Sequence, residues 1–496
     1  MLFNSLDYII FFILTVAIYY HLPHHKRWIL LLIASCVFYM AFIPVYIFIK
    51  VFVVSIDYIA GIRIEESSGK KKKLWLCFSV ICGLGVLFLY KYLNFTVNSL
   101  NGLAQVLHWN YSLQSLNLIL PIGVSFFIFQ SLSYVLEVYY GRQKAERHYG
   151  YYFLYVSFFP QLLAGPIERP QNLVKQIHER HDFNYTKAVE GIKLIAWGLL
   201  KKVVIADRLA QYVNYIYDKP YSFQGMSLIA ATFFFAFQIY YDFSGYTDIA
   251  RGSAKILGFD LVINFRRPYS AQSFQEFWHR WHISLSTWFR DYLYIPLGGG
   301  RVIYSRWIMN IYITFILSGL WHGANWTFII WGTLHGSYLL IERVMQTNLK
   351  NFSERIKLGF AGTVMKVLFI FSLTCIAWVF FRSQSLSEAF YVLSHFGVGL
   401  KEYLANIVLL HGHRSAENGI LYPLMIGGIF HKIDLILIPL GIFILEFAEY
   451  LHEKNQIIPL WARQPAVVRY LGYVTVVLVI LNFGCINRVP FIYFQF

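Results

Sequence analysis

The sequence predicts an all-α polytopic membrane protein, and three observations carry that expectation. Only 14% of the 496 residues are charged, where a soluble domain carries about 25%. Apolar runs of about 20 residues, the length that crosses a bilayer, recur along the chain. Aromatic residues make up 19%, which suits a helical bundle with Trp and Tyr belts at both membrane surfaces. The formal net charge of +16 reads as Lys and Arg on the cytoplasmic side. No basic arm or nucleic-acid motif accompanies it, so nucleic acid is not an expected partner. Cys36, Cys77, Cys82, Cys375 and Cys485 form no metal or redox spacing and read as buried inert thiols.

The elements follow from where positive charge falls. The first apolar run, 8–21, is preceded by Asn4 and Asp7 and by no Lys or Arg. It reads as a retained helix, not a cleavable signal. His24-His25-Lys26-Arg27 and Lys70-Lys71-Lys72-Lys73 flank two apolar segments, 28–41 and 45–62. An out-and-back hairpin puts both clusters in the cytoplasm and the N-terminus outside. Segment 74–93 crosses outward. No Lys or Arg occurs from 95 to 141, as expected of an external loop leading into a returning helix at 117–140. The run 151–167 is short and broken by Pro160, Gly165 and Pro166. Basic residues flank it on both sides, so it reads as re-entrant, a backbone form that survives only against protein or a wet cavity. Residues 195–209, carrying Lys201 and Lys202, read as an amphipathic or tilted helix, and 226–246 as a full span. Residues 251–306 are too charged to cross and read as a cytoplasmic-facing insertion. Further apolar segments fall at 307–341, interrupted at 319–325, and at 362–381, 433–446 and 470–483. Residues 384–431 fit no simple pattern. About ten to twelve membrane segments are expected.

Chemistry-bearing residues crowd into 238–325. Taken as one helix, 274–292 places His279, His282, Ser286 and Arg290 on a polar face opposite Trp278, Trp281 and Trp288. An interfacial anchor is the plain reading of those tryptophans, and His282 divides evenly between chemistry and structural hydrogen bonding. His322 lies inside an apolar run, between Trp321 and Gly323. A neutral imidazole there can take a proton from a hydroxyl, as acyl transfer requires. The plain alternative is a core histidine bonded to a carbonyl. Gly319 and Gly323 would let a substrate or another helix come close, and Asn325 is near. Asp242 and Asp248 bracket what reads as a Ser-Gly-Tyr turn, with Gln238 one turn earlier. These acids could orient a histidine, pair with Arg251 or Arg266, or relay a proton. No pair has metalloenzyme spacing, so no metal is expected. Leu297-Gly-Gly-Gly-Arg301 is not a Walker A loop. Beside Arg266, Arg267, Arg290 and Arg306 it makes a basic rim that could hold phosphates, although cytoplasmic topology explains any single arginine as well.

Several stretches together resemble the membrane-bound O-acyltransferase (MBOAT) family, in its bacterial branch of alginate O-acetylation proteins and their peptidoglycan relatives. They are Leu120-Pro-Ile-Gly-Val-Ser-Phe-Phe-Ile-Phe-Gln130, Phe159-Pro-Gln-Leu-Leu-Ala-Gly-Pro-Ile167, Tyr241-Asp-Phe-Ser-Gly-Tyr-Thr-Asp248, Phe265-Arg-Arg-Pro-Tyr269, Pro296-Leu-Gly-Gly-Gly-Arg301, Leu317-Ser-Gly-Leu-Trp-His-Gly-Ala-Asn325 and Trp378-Val-Phe-Phe-Arg382. The similarity also takes in 277–291 and the final 491–496. Glu137 stands where the family pattern has Asp, with the charge kept. The resemblance implies one integral-membrane domain over 1–496: N-terminal helices 1–140, a catalytic core 141–345 containing the insertion 251–306, and C-terminal helices 346–496. It implies a ring of helices around a thinned centre with a cytoplasmic funnel. His322 matches the family's active-site histidine, and His282 resembles its second histidine. Asp242, Asp248, Asn325, Ser286 and Gln238 are candidate supporting groups, and Arg266, Arg267, Arg290 and Arg301 candidate donor contacts. No bound cofactor is implied, and acetyl-CoA is the implied donor substrate. The acceptor would be a cell-surface polysaccharide, reached from the bacterial cytoplasmic (inner) membrane through an extracytoplasmic SGNH or esterase-like partner. The chain contains no Gly-x-Ser-x-Gly elbow, in keeping with such a relay. A protein or lipid acceptor, or a transporter without chemistry, are the alternative readings.

Overall fold

A computed structural model describes residues 1–116, 118–163, 165–348, 359–401, 434–455, 460–461, 463–485 and 491–492. Every regular element among them is helical. In chain order the α-helices are α1 (Leu6–His21), α2 (His24–Met40), α3 (Ile47–Glu66), α4 (Gly69–Leu87), α5 (Leu93–Val106), α6 (Val124–Tyr139), α7 (Tyr149–Ser157), α8 (Pro170–His178), α9 (Tyr185–Leu199) and α10 (Asp207–Tyr217). There follow α11 (Met226–Ile256), α12 (Phe274–Arg280), α13 (Ile283–Phe289), α14 (Tyr304–His322), α15 (Trp326–Asn348), α16 (Gly359–Arg382), α17 (Leu386–Ser394), α18 (Asp434–Glu453) and α19 (Ala466–Phe483). Five described stretches are long and apolar enough to cross a membrane: Pro44–Glu66, Gly69–Val106, Met226–Ile256, Gly359–Arg382 and Ala466–Phe483. Leu6–His21 and Val124–Tyr139 are apolar but shorter. The chain is a multi-pass membrane protein. Most of the awkward stretch 384–431, and residues 493–496, lie outside the described residues.

The chain folds as two compact units. The first takes residues 1–198 and 246–263. Within it, groups that charge placement assigns to the cytoplasm are found together. Arg147 pairs with Glu65 at 2.5 Å and Glu66 at 2.8 Å, His178 with Glu146 at 2.7 Å, and Arg27 donates to the His181 carbonyl. The re-entrant reading of 151–167 has a length argument: α7 has nine residues, about 14 Å of helix against the ~30 Å of a bilayer core. The broken backbone that follows is satisfied by protein. Ser35 Oγ accepts from Phe159 N at 3.1 Å, Gln130 Oε1 from Glu168 N at 2.8 Å, and Gln161 Nε2 donates to the Tyr155 carbonyl at 3.0 Å.

Three expectations change here. The external loop does not begin at 95, because helix continues through a π-helical turn at Phe88–Tyr92 to Val106. Asn94 and Asn101 on this extension bind back to Leu116 and Leu113, so polar side chains support a helix that crosses no charge boundary. The cysteines are not buried: Cys77 is exposed and the other four half-exposed. The helix beginning at Met226 does not end at Tyr246 but runs to Ile256. Ser244 and Gly245 are therefore helical, the turn between Asp242 and Asp248 does not exist, and the charged insertion starts after Ile256.

The second unit takes residues 199–245 and 264–492. Residues 195–209 are not one amphipathic helix. A π-helical stretch, Leu200–Ala206, joins α9 to α10 and turns both Lys201 and Lys202 inward. Each meets an acid: Lys201 Nζ lies 2.5 Å from Glu449, and Lys202 Nζ 2.7 Å from Asp207 and 2.8 Å from Asp242. The apolar run 307–341 breaks where Gly323 turns extended after α14, and Asn325 Oδ1 caps α15 by accepting from Thr327 N. At Gly319 a Cβ would stand 2.2 Å from the Phe328 carbonyl oxygen, and at Gly332 2.2 Å from that of Phe315. These glycines serve the approach of α14 and α15 to each other.

Overpacking of this kind costs typically 1–3 kcal/mol. Gly319→Val should lower the thermal midpoint of the detergent-solubilised protein by several degrees, whereas Leu317→Val, at an exposed position on the same helix, should not. Differential scanning fluorimetry of the two variants checks this.

Candidate active site

The helix expected over 274–292 breaks in the middle. α12 ends at Arg280, α13 begins at Ile283, and His282 between them adopts φ 42°, ψ 54°. This left-handed conformation is uncommon for a residue with a side chain and costs of order 1–3 kcal/mol. The shared polar face of His279, His282, Ser286 and Arg290 is therefore lost. The break turns His282 inward, to 0% exposure.

The turn is pinned by the segment preceding α12. Arg266 N donates to the Arg280 carbonyl, and Ile283 N to the Asn264 carbonyl, both at 3.0 Å. Asn264 Oδ1 accepts from Ser284 N at 3.0 Å and from Ser284 Oγ at 2.9 Å, with His282 Nδ1 3.4 Å away. Phe243 of α11 meets the imidazole edge-on at 4.7 Å. Burial pushes the His282 pKa down to about 3, so the ring is neutral at physiological pH.

His322 is the last residue of α14 and is buried at 3% exposure. Its ring packs against Trp321, Trp331 and Phe381 at 5.0–5.3 Å between centroids. The His282 and His322 rings lie 6.3 Å apart, inclined at 60°. Two histidines separated by 40 positions in sequence thus face each other in an aromatic enclosure.

The other candidates distribute unevenly. Gln238 and Asp242 are buried one turn apart on α11. Asp242 pairs with Lys202, as described, and accepts from Ile492 N at 2.8 Å. Asp248 is six residues on, about 120° further round the helix. It belongs to the first unit, where it pairs with Arg251 at 3.4 Å. Ser286 Oγ donates to the Trp281 carbonyl, and Asn325 is occupied capping α15 and donating to the Gln384 carbonyl at 2.8 Å. Of the candidate donor contacts, Arg267 faces Glu453 at 3.2 Å and Glu446 at 3.8 Å, so its charge is matched within the protein. Arg290 pairs with its neighbour Asp291. Arg266 and Arg301 are exposed. Sequence reading missed Asn264 and Ser284, which hold the His282 turn. It also missed His335, fully buried beside Trp331 and stacked on Phe277 at 5.9 Å. Asn264 abuts the Phe265–Tyr269 motif, and that adjacency is the one signal the sequence offered. No group of three or more His, Cys, Asp or Glu side chains suited to a metal occurs among the described residues.

Residues 146–382 match the model of the MBOAT, membrane-bound O-acyltransferase family. The chain is 38% identical to the probable alginate O-acetylase AlgI of Azotobacter vinelandii over 400 residues, 78% of this chain and 76% of that protein. The chain belongs to the membrane-bound O-acyltransferase family. It is 33% identical to the peptidoglycan O-acetyltransferase of Helicobacter pylori over 466 residues, 87% of this chain and 85% of the relative. A teichoic acid D-alanyltransferase of Bacillus subtilis is 27% identical over 288 residues, 54% of this chain and 70% of that one. As a membrane-bound O-acyltransferase, the enzyme moves an acyl group onto a hydroxyl, and the matched residues include His282 and His322.

Two outcomes follow from the burial. Removing Lys202 strands two carboxylates, and breaking a buried pair costs roughly 3–5 kcal/mol. Lys202→Met should abolish recovery of monodisperse protein, and Lys202→Met with Asp207→Asn and Asp242→Asn should restore it on size-exclusion chromatography. The unfolded His282 ring takes up a proton below about pH 6.5 and the folded one does not until about 3. Its contribution to stability is therefore present above 6.5 and lost as pH falls toward 3, by at most about 1.4 kcal/mol per pH unit. The thermal midpoint should drop between pH 7 and pH 5, and drop less in His282→Gln.

Proposed function

We propose that this O-acyltransferase takes an acetyl group from cytoplasmic acetyl-CoA and passes it across the bacterial cytoplasmic membrane for O-acetylation of a cell-surface polysaccharide, of the alginate or peptidoglycan kind. The observation that carries the reading is the pair of buried imidazoles, 6.3 Å between ring centres, in a chain whose relatives bear O-acetylase and O-acetyltransferase names. His322 is the general base on the attacking group. His282, held neutral, orients that group or relays its proton. A base so placed contributes about 10²–10⁴-fold, and an aromatic enclosure that excludes water strengthens each polar contact inside it. The exposed arginines Arg266 and Arg301 are the better placed to meet donor phosphates, since Arg267 and Arg290 already face acids. An extracytoplasmic esterase-like partner completes delivery to the sugar hydroxyl, as the family resemblance implies.

The test is base-labile acetate in fractionated envelope and secreted polymers, from cells with the wild-type chain, with His322→Ala, and without the chain. Acetate should disappear from one polymer fraction in both deficient strains while His322→Ala still reaches the membrane in normal amount. Acetate unchanged in every polymer fraction would overturn the polysaccharide reading and direct the search to protein or lipid acceptors.

A further inference from the structure

We propose that Asn264 is a positioning residue of the acyl-transfer site: its carboxamide oxygen fixes the His282 ring in the tautomer with the proton on Nδ1 and the lone pair on Nε2. The inference rests on the reading that His282 takes part in the transfer.

The hydrogen-bond donor that faces Asn264 has an identity that is not adjustable. A main-chain N–H can only donate, so the Asn264 atom 3.0 Å from Ser284 N is the oxygen and not the amide nitrogen. An amide turned over would set two donors against each other. The Ser284 hydroxyl donates to the same oxygen at 2.9 Å. His282 Nδ1 approaches it at 3.4 Å, a long contact that is attractive only when Nδ1 carries the hydrogen. In a neutral imidazole that leaves Nε2 as the acceptor.

The main chain of Asn264 adds a second hold. Its carbonyl takes the Ile283 N–H, so one residue grips the positions on the C-terminal side of the left-handed turn through both backbone and side chain. Asn264 is 1% exposed, so bulk water does not compete for these bonds. A carboxylate in this place would also fix the ring, but it would favour the protonated imidazole. A carboxamide orients without that consequence, and the buried ring stays neutral. The titratable group in ring contact with His282 among the described residues is His322. Phe243, Phe265 and Trp321 supply its other ring contacts.

The tautomer is read directly by NMR of the full-length protein labelled with ¹⁵N-histidine. The signal pair missing from His282→Gln should show a protonated Nδ1 and a bare Nε2 in the wild type, and Asn264→Ala should shift it toward the other tautomer. A wild-type ring protonated on Nε2 would overturn the proposal whatever the activity measurements give. Acetyl transfer from labelled acetyl-CoA in proteoliposomes supplies the second readout. Asn264→Ala should lose at least tenfold in kcat with KM little changed. Asn264→Asp keeps the shape and the acceptor oxygen, so it should retain activity at pH 8 but gain an acid limb between pH 5 and 8. If His282→Ala is inactive while Asn264→Ala matches the wild type, Asn264 does no positioning. If His282→Ala is itself fully active, the reading of His282 fails instead, and the NMR result still decides the tautomer.

Discussion

A lysine ammonium with no exposed surface, set between Asp207 and Asp242, is the constraint on which the second unit depends. None of these charges could be buried alone, since an unpaired ion in an apolar interior costs several kcal/mol at least. Together they tie three elements at one point: the π-helical stretch, α10 and α11. Asp242 also receives the Ile492 N–H, so residues at the far end of the chain are drawn to the same carboxylate. Phe243, the next residue along α11, is thereby held edge-on to His282. The ion cluster thus anchors the helix segment that packs on His282, whose own turn is set by Asn264.

Backbone strain sits beside the candidate site. His282 occupies a backbone conformation that a side-chain-bearing residue adopts rarely, and it is surrounded by bonds that make the alternatives worse. Ordinary helix through 281–283 would have kept the ring on the polar face of a single amphipathic helix. The break sends it the other way, toward the end of α14. Trp281 gains from the same kink, being wholly buried against Phe265, Phe277 and Trp378.

Much of this was legible in the residues. Membrane class, the approximate positions of most apolar helices and the broken character of 151–167 all follow from hydropathy, proline and glycine placement, and charge. What stayed hidden was tertiary in origin. The kink at His282 has no proline or glycine to announce it, because it is imposed by Asn264 from another segment. Lys201 and Lys202 look solvent-facing until their acids, some of them far along the chain, are in place. The Ser-Gly-Tyr triplet after Asp242 carries turn residues, yet helix persists there, since packing overrides local propensity. Asp242 and Asp248 look like a pair in sequence and are separated by helix geometry alone.

The glycines of the α14–α15 hairpin carry one more consequence. Each helix uses a glycine to accept a carbonyl ridge of the other, a lock-and-tenon joint with no slack for sliding or rotation. His322 ends one arm of that joint, and Gly323 beside it leaves space that the Phe328 ring fills. The backbone that carries the imidazole is consequently held in place by that joint. The interlock thus gives the His322 backbone one fixed address at the end of α14, set by main-chain contact alone.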